Sequence, residues 1–397
     1  MGKNFVFISP TFPRNYYQFP LAWKNYGGNS LCIGEDSWES LSPELKAACT
    51  EYYQVGSMEN YDEMYSAVAW FAHKYGKIDW LESNNEYWLM RDARLRTEFN
   101  ITTGPKDCDM RKIKYKSAMK EYYAKAGLPT ARYHLIEGMD DALDFANTVG
   151  YPVVVKPDNG VGANNTYKLQ SDEELAFFMV HKDESLYIME EFVRGYVQTY
   201  DAIVDSKGQP LFESGNISPR SIMDIVNNNS DSVYYLVKDL PDNIRSAGLR
   251  TVEAFGVKSR FIHLEFFVLT EDQEGLGKKG DVLGLEVNMR PAGGYTPDMY
   301  NYSQETDVYK IWADMVCFDS NTKPTGNHHF CAFYGRRDGN RYKLDDYEIM
   351  MKYAGHIVMN GRIPDALSGA MANQMYVANF DTQEELDAFY RDMGEQL

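Results

Sequence analysis

The sequence predicts an α/β protein, turning to α+β in its middle, and three observations carry that prediction. Short apolar strands alternate with helical stretches through the first hundred residues, the pattern of a βαβ layer on a parallel sheet. From Thr130 the spacing tightens into a compact unit of strands and helices joined by short connections. Two strong strands, Phe261–Leu269 and Val282–Arg290, then flank a Gly/Lys/Asp-rich turn. At ~100–200 residues per domain, 397 residues hold two or three domains.

The first strand is Phe5-Val-Phe-Ile8, followed by a Ser/Pro/Thr turn and a helix over 17–26. A Gly27-Gly28 break precedes a second strand, Ser30-Leu-Cys-Ile33. A long helix over 61–75 and a strand near 78–81 complete the layer. No GxGxxG follows the first strand, so this layer need not bind a dinucleotide. Composition turns basic at Arg111-Lys-Ile-Lys-Tyr-Lys116, which opens a connecting helix that ends at Gly127-Leu-Pro129. Strands are expected over 133–136, 151–156, 186–191 and 199–204, with helices from Asp140 and from the capping box Ser171-Asp-Glu-Glu174. This small unit is suited to move as a lid. The expected division is 1–110, 111–205 and 206–397, the last ending in a helix capped by Thr382-Gln-Glu-Glu385.

Composition narrows the function classes. Forty basic against 58 acidic side chains give a formal net charge of −18. That balance opposes a broad nucleic-acid or anionic-membrane surface but leaves room for a local basic pocket. No stretch approaches the ~20 apolar residues of a membrane helix. The opening MGKNFVFISP has too short an apolar run for a signal peptide. The five cysteines (Cys32, Cys49, Cys108, Cys317 and Cys331) are scattered and form no CxxC pair. A cytoplasmic protein with reduced thiols is expected.

The chemistry concentrates in the two strong strands. Side chains alternate faces along a strand, so Glu286, Asn288 and Arg290 point one way, and His263 and Glu265 share a face of the earlier strand. In a hairpin Glu265 can lie opposite Glu286, and two facing carboxylates need a cation. Oxygen-only ligands favour Mg²⁺ or Mn²⁺ held jointly with a phosphate. Arg290 is placed to meet an anion. A polar outer sheet face is the alternative, weakened by the Pro291-Ala-Gly-Gly294 turn, whose small residues let a ligand approach. Lys156 ends a buried strand, a costly place for an ammonium without an anion. The amides of Gly160 and Gly162 can cradle phosphate oxygens. Lys116 is a third candidate. In Ile188-Met-Glu-Glu-Phe-Val193, alternation separates Glu190 from Glu191 and leaves one to address a purine amino group. Gly275-Leu-Gly-Lys-Lys-Gly280 matches GxGxxG but precedes a strand instead of a helix, so it is read as the hairpin turn.

In order, these features resemble the ATP-grasp superfamily over roughly residues 110–295. Lys116 is similar to the family's first phosphate lysine, and Tyr151-Pro-Val-Val-Val-Lys156-Pro to the second with its glycine-rich lid loop. Glu190, Glu191, Phe192 and Val193 match the adenine hinge. His263-Leu-Glu265-Phe and Leu285-Glu286-Val-Asn288-Met-Arg290 match the metal-binding strands. The Glu-x-Asn-x-Arg-x-x-Gly-Gly ending looks most like the carboxylate–amine ligase branch, and biotin carboxylase-type enzymes share the core. After Gly195 this chain departs, with Tyr196-Val197-Gln198 where relatives carry a ribose-contacting Glu.

The resemblance implies an ATP-grasp fold with a Rossmann-like pre-ATP-grasp domain and a mobile lid over roughly 130–200. It implies ATP with Mg²⁺ (or Mn²⁺), two ions on Glu265, Glu286 and Asn288, and amide formation through an acyl phosphate. Lys156 and Arg290 would act on phosphate and carboxylate, with Arg220 and Lys238 on the substrate side. The partners implied are small-molecule carboxylates and amines, without nucleic acid or membrane, in a chain that can form a homodimer. Bicarbonate, thiol or alcohol chemistry, or a silent ATP-binding regulator, are the competing readings.

Overall fold

The computed structural model describes residues 3–160, 165–219 and 229–397. Its N-terminal layer is a parallel sheet of β1 (Asn4–Ile8), β2 (Asn29–Gly34), β3 (Glu51–Gln54) and β4 (Trp80–Glu82), in the order β3-β2-β1-β4. Alternation along β1 splits its side chains between two cores. Val6 and Ile8 join Val68 and Phe71 of the helix Tyr61–Tyr75 on one face. Phe5 and Phe7 join Phe19, Trp23, Tyr309 and Trp312 on the other. Trp312 belongs to the helix Val308–Phe318, far along the chain, so the N-terminal layer shares one core with the C-terminal half.

The middle unit is an antiparallel sheet of β5 (Tyr133–Leu135), β6 (Val153–Pro157), β7 (Tyr167–Leu169) and β8 (Tyr187–Glu191), ordered β5-β8-β6-β7. The helices Met139–Val149 and Asp172–His181 close a small core of their own over Val153, Val155, Tyr187 and Met189. Ser171 caps the second helix through the Glu174 amide, as its sequence predicts.

The large sheet is antiparallel and holds β9 (Gly195–Val204), β10 (Pro210–Ser214), β11 (Asn216–Ser218), β12 (Ser232–Leu236), β13 (Arg260–Leu269), β14 (Val282–Asn288), β15 (Phe330–Arg336), β16 (Ile357–Arg362) and β17 (Gln374–Phe380). Its order is β14-β13-β9-β11-β12-β15-β17-β16, with β10 paired to β9. One face of β9, β13 and β14 is apolar: Tyr200, Ala202, Ile262, Leu264, Phe266 and Val287 pack the helices Lys116–Lys125 and Asp242–Phe255. The other face carries Thr199, Asp201, His263, Glu265, Glu286 and Asn288.

The helix expected over 17–26 is the α-helix Gln18–Asn25, preceded by a 3-10 turn, Arg14–Tyr17. Two expectations need correction. β9 begins at Gly195, ahead of the strand expected over 199–204, because it pairs with β13 along its full length down to Leu269. The basic connecting helix is two helices, Met110–Lys114 and Lys116–Lys125, broken at an extended Tyr115. The cause is a partner distant in sequence. Asp158 accepts from the amide of Lys116 through its carbonyl (2.9 Å) and from the amide of Ser117 through its carboxylate (2.7 Å), capping the second helix.

Candidate active site

The β13–β14 register puts Glu265 opposite Glu286 and His263 opposite Asn288. Just past Glu265 the register shifts, and Phe266 faces Gly284. A glycine is required there, because a Cβ on residue 284 would fall 2.4 Å from the Tyr123 ring. That close approach lays the helix Lys116–Lys125 across β14, and Lys116 Nζ comes to 3.4 Å from Glu286 Oε1. The same ammonium donates to the Gly160 carbonyl (3.3 Å), so helix, glycine-rich loop and carboxylate strand meet at one side chain.

The middle sheet delivers the second lysine. Lys156 Nζ pairs with Glu190 Oε2 at 2.6 Å, and Lys120, one turn beyond Lys116, pairs with the other oxygen. All three side chains are buried. Burial pushes the Glu190 carboxyl up, but Lys120 and Lys156 outweigh it and hold it down at about 2. Burial lowers the Lys120 ammonium, while Glu190, Glu286 and Glu265 overcome burial at Lys156 and raise it. Lys120 escaped the sequence analysis, although its place four residues after Lys116 on a helix was the available signal.

Further along the polar face, Arg290 donates to Glu86 Oε2 (3.2 Å), Asn288 Oδ1 (3.1 Å) and its neighbour's carbonyl. Glu86 also pairs with Lys114. Burial raises Glu86, and the two cations reverse that and lower it. Asn288 Nδ2 donates to Glu265 Oε1 (3.3 Å), so its amide bridges carboxylate and guanidinium. His263 stands between Asp201 (2.5 Å) and Glu265 (3.3 Å), and these carboxylates overcome burial to raise the imidazole to about 9. Burial would raise Glu265, but His263, Arg290 and Lys156 lower it. Glu86 and Asp201 were missed as well. Asp201 was findable in principle, two residues from Thr199 on a strand. Glu86 had no local signal.

The hinge differs from its sequence reading. Neither carboxylate is free for a purine: Glu190 is held by the two lysines, and Glu191 is clamped by Arg132 at 2.7 and 2.9 Å. Gln273 reaches the hinge backbone, donating to the Phe192 carbonyl (2.8 Å) and accepting from the Arg194 amide (3.0 Å). The Phe192 ring lies under Lys168, and Val193 is buried against Leu269 and Leu283. Lys238 is not brought to the cluster: its ammonium donates to the Asp381 carbonyl (3.2 Å), just past the end of β17. Arg220 and Gly162 lie outside the described residues.

The donor set bears on a metal. Among the described residues no three His, Cys, Asp or Glu side chains gather to hold an ion unaided. Glu265, Glu286 and Asn288 offer hard oxygens in an incomplete set. That fits Mg²⁺ or Mn²⁺ completing its shell with phosphate and water.

A parallel N-terminal layer, a small antiparallel unit carrying a lysine and a glycine loop, and a large sheet presenting two carboxylates define the ATP-grasp fold. The chain resembles the carboxylate–amine ligase branch of that superfamily in fold, and over part of its length in sequence. Residues 112–211 match the family model of the carbamoyl-phosphate synthase L chain, ATP-binding domain. The chain is 27% identical over 142 residues to the carbamoyl phosphate synthase large chain of Clostridium botulinum, covering 33% of this chain and 13% of that one. It is 31% identical over 98 residues to an L-arginine-specific L-amino acid ligase of Bacillus subtilis, covering 25% and 24%. These matches span well under half of those relatives' own length. The crystal structure of an L-amino acid ligase from Bacillus licheniformis superposes with a TM-score of 0.73 at 16% identity, over 99% of this chain and 97% of that one. Among the described residues no helix is long and apolar enough to cross a membrane.

Proposed function

We propose that the chain is an ADP-forming, ATP-dependent ligase that joins a small-molecule carboxylate to an amine through an acyl phosphate. The observation that carries this reading is the convergence of Lys116, Lys156, Glu265, Glu286, Asn288 and Arg290 on one polar face. In this reading Lys116 and Lys156 hold the phosphate chain beside Gly160. Lys120 and Glu190 fix Lys156, and the backbone of Glu191, Phe192 and Val193 borders the adenine. Two Mg²⁺ ions on Glu265, Glu286 and Asn288 supply neutralisation of phosphate charge. Arg290, aimed by Glu86, holds the substrate carboxylate. A carboxylate oxygen attacks the γ-phosphorus and ADP leaves; the amine then attacks the acyl carbon, loses a proton and expels phosphate. This is catalysis by positioning and charge stabilisation. Residues 1–110 would form the pre-ATP-grasp domain, 111–205 the ATP-binding subdomain with its lid, and 206–397 the catalytic domain.

A second reading takes bicarbonate as the carboxylate. It is favoured by the carbamoyl-phosphate synthase match and by a TM-score of 0.69 to a biotin carboxylase domain from Hydrogenobacter thermophilus.

The test is ADP and phosphate release with Mg-ATP across pooled carboxylates, with and without pooled amines. Release that needs both partners, with a condensation product by mass spectrometry, supports the ligase. Release with bicarbonate alone selects the second reading. AMP in place of ADP removes the acyl phosphate.

A further inference from the structure

The register of β9, β13 and β14 lays two rows of side chains across the polar face. Asp201, His263 and Asn288 form one, and Thr199, Glu265 and Glu286 the other. Asp201 is fully buried, with Thr199, His263 and Asn288 buried beside it. A carboxylate away from water is costly unless its oxygens are matched, and both are. Oδ2 accepts from the Thr199 hydroxyl (2.6 Å), and Oδ1 lies 2.5 Å from His263 Nδ1. The Thr199 oxygen accepts in turn from the amide of Asn216 (2.9 Å), which opens β11.

This line of contacts ends on Glu265. His263 turns its other nitrogen, Nε2, to Glu265 Oε1 at 3.3 Å. Carboxylate oxygens only accept, so both ring nitrogens donate, and the ring has one orientation that serves both partners. Asn288 Nδ2 donates to the same Oε1, also at 3.3 Å. Oε1 thus receives both donors, while among the described residues none reaches Oε2. Oε2 is not enclosed, and the Glu265 side chain keeps 22% exposure beside its buried neighbours. Replacing a buried ion pair by apolar residues is often neutral or stabilising, so packing alone gives no reason for Asp201 and His263 in the middle of this sheet.

We propose that Asp201 is a positioning residue of the metal site: through His263 it holds Glu265 so that the protein occupies Oε1 and Oε2 is left for the cation. The inference rests on the metal–nucleotide reading of this face. Groups that orient a ligand in this way typically set metal affinity by about 10–100-fold.

The test is Mn²⁺ binding to the full chain in the presence of excess non-hydrolysable ATP analogue, followed by electron paramagnetic resonance. Affinity for the analogue alone is measured by calorimetry with metal chelated. In Asp201→Ala the Mn²⁺ affinity is expected to fall about tenfold or more. The metal-free analogue affinity should stay unchanged, because Lys116 and Lys156 are untouched. The double variant with His263→Ala should bind Mn²⁺ no more weakly than His263→Ala alone, since Asp201 acts through that ring. Where Asp201→Ala does not fold, Thr199→Val carries the test: it removes only the hydroxyl that holds Asp201, and Mn²⁺ affinity should fall by a smaller factor. Unchanged Mn²⁺ affinity in these variants overturns the positioning role and leaves the reading of the site intact. Equal losses of metal and analogue affinity overturn it too, as the mark of a general structural role, and so does an additive loss in the double variant. Wild type that binds no Mn²⁺ with the analogue overturns the metal reading itself and this proposal with it.

Discussion

Glu190 is the residue on which the two lysine-bearing elements depend. Buried between Lys120 and Lys156, it compensates two ammoniums that would otherwise sit in low dielectric. Glu190→Gln is expected to cost about 3–5 kcal/mol at neutral pH, the usual consequence of leaving a buried charge unpaired. The pH dependence has a definite sign. The folded carboxyl is held at about 2 against an ordinary value of 4.5, so its contribution is full above 4.5 and fades as pH falls toward 2. Urea denaturation at pH 7 and pH 3 should therefore show a smaller gap between wild type and Glu190→Gln at the lower pH. An equal gap would rule out the ion pairs as its source. The facing carboxylates make a different prediction. Glu286→Gln keeps the shape but removes one charge beside Lys116, so Mg-dependent ATP turnover should fall ~100-fold or more with the fold intact by circular dichroism. Unchanged turnover would remove Glu286 from the metal set.

At the scale of elements, Gly284 is what allows the helix Lys116–Lys125 to lie on β14. Its amide donates to the Pro129 carbonyl (2.8 Å), and the Tyr123 ring occupies the place a side chain would take. Gly284→Val should cost about 1–3 kcal/mol by overpacking and lift Lys116 away from Glu286. Weaker Mg-ATP binding alongside the lower denaturation midpoint is the expected pair of results. A stability loss with unaltered ATP affinity would mean that the helix position does not set the lysine. The same element shows what was legible in the sequence. Strand alternation put Glu286, Asn288 and Arg290 on one face, which depends only on a period of two, and a hairpin allowed Glu265 to lie opposite Glu286, as the register has it. The break at Tyr115 was not legible, since the capping group, Asp158, comes from another element some forty residues on. The partners of Glu190 and Glu191 were not legible for the same reason: Lys120, Lys156 and Arg132 lie on other segments. Lys238, expected on the substrate side, has no strand or helix period that links it to the cluster, and its ammonium donates to the Asp381 carbonyl.

At the scale of the molecule, the N-terminal layer is built into the C-terminal half. Phe5, Phe7, Phe19 and Trp23 share a core with Tyr300, Tyr309 and Trp312, and the Phe5 and Trp312 rings lie 5.1 Å apart. This shared packing fixes Glu86, between β4 and the next helix, against Arg290 across a sequence gap of 204 residues. The middle sheet has its own core and leans on the rest through the hinge and the lysine ion pairs. Trp312→Ala should therefore cost about 3–5 kcal/mol, a large cavity in a core common to both layers. Hydrogen exchange then has a specific expected pattern. Amides of β1 and β2 and those of β9 and β13 should lose protection by the same factor, because both sets open only when the common core opens. Amides of β6 and β8 should already exchange faster in the wild type, through local opening of the small sheet, and change less in the variant. Loss of protection confined to β1 and β2 would show that the N-terminal layer opens on its own, and Glu86 could not then hold Arg290 in place.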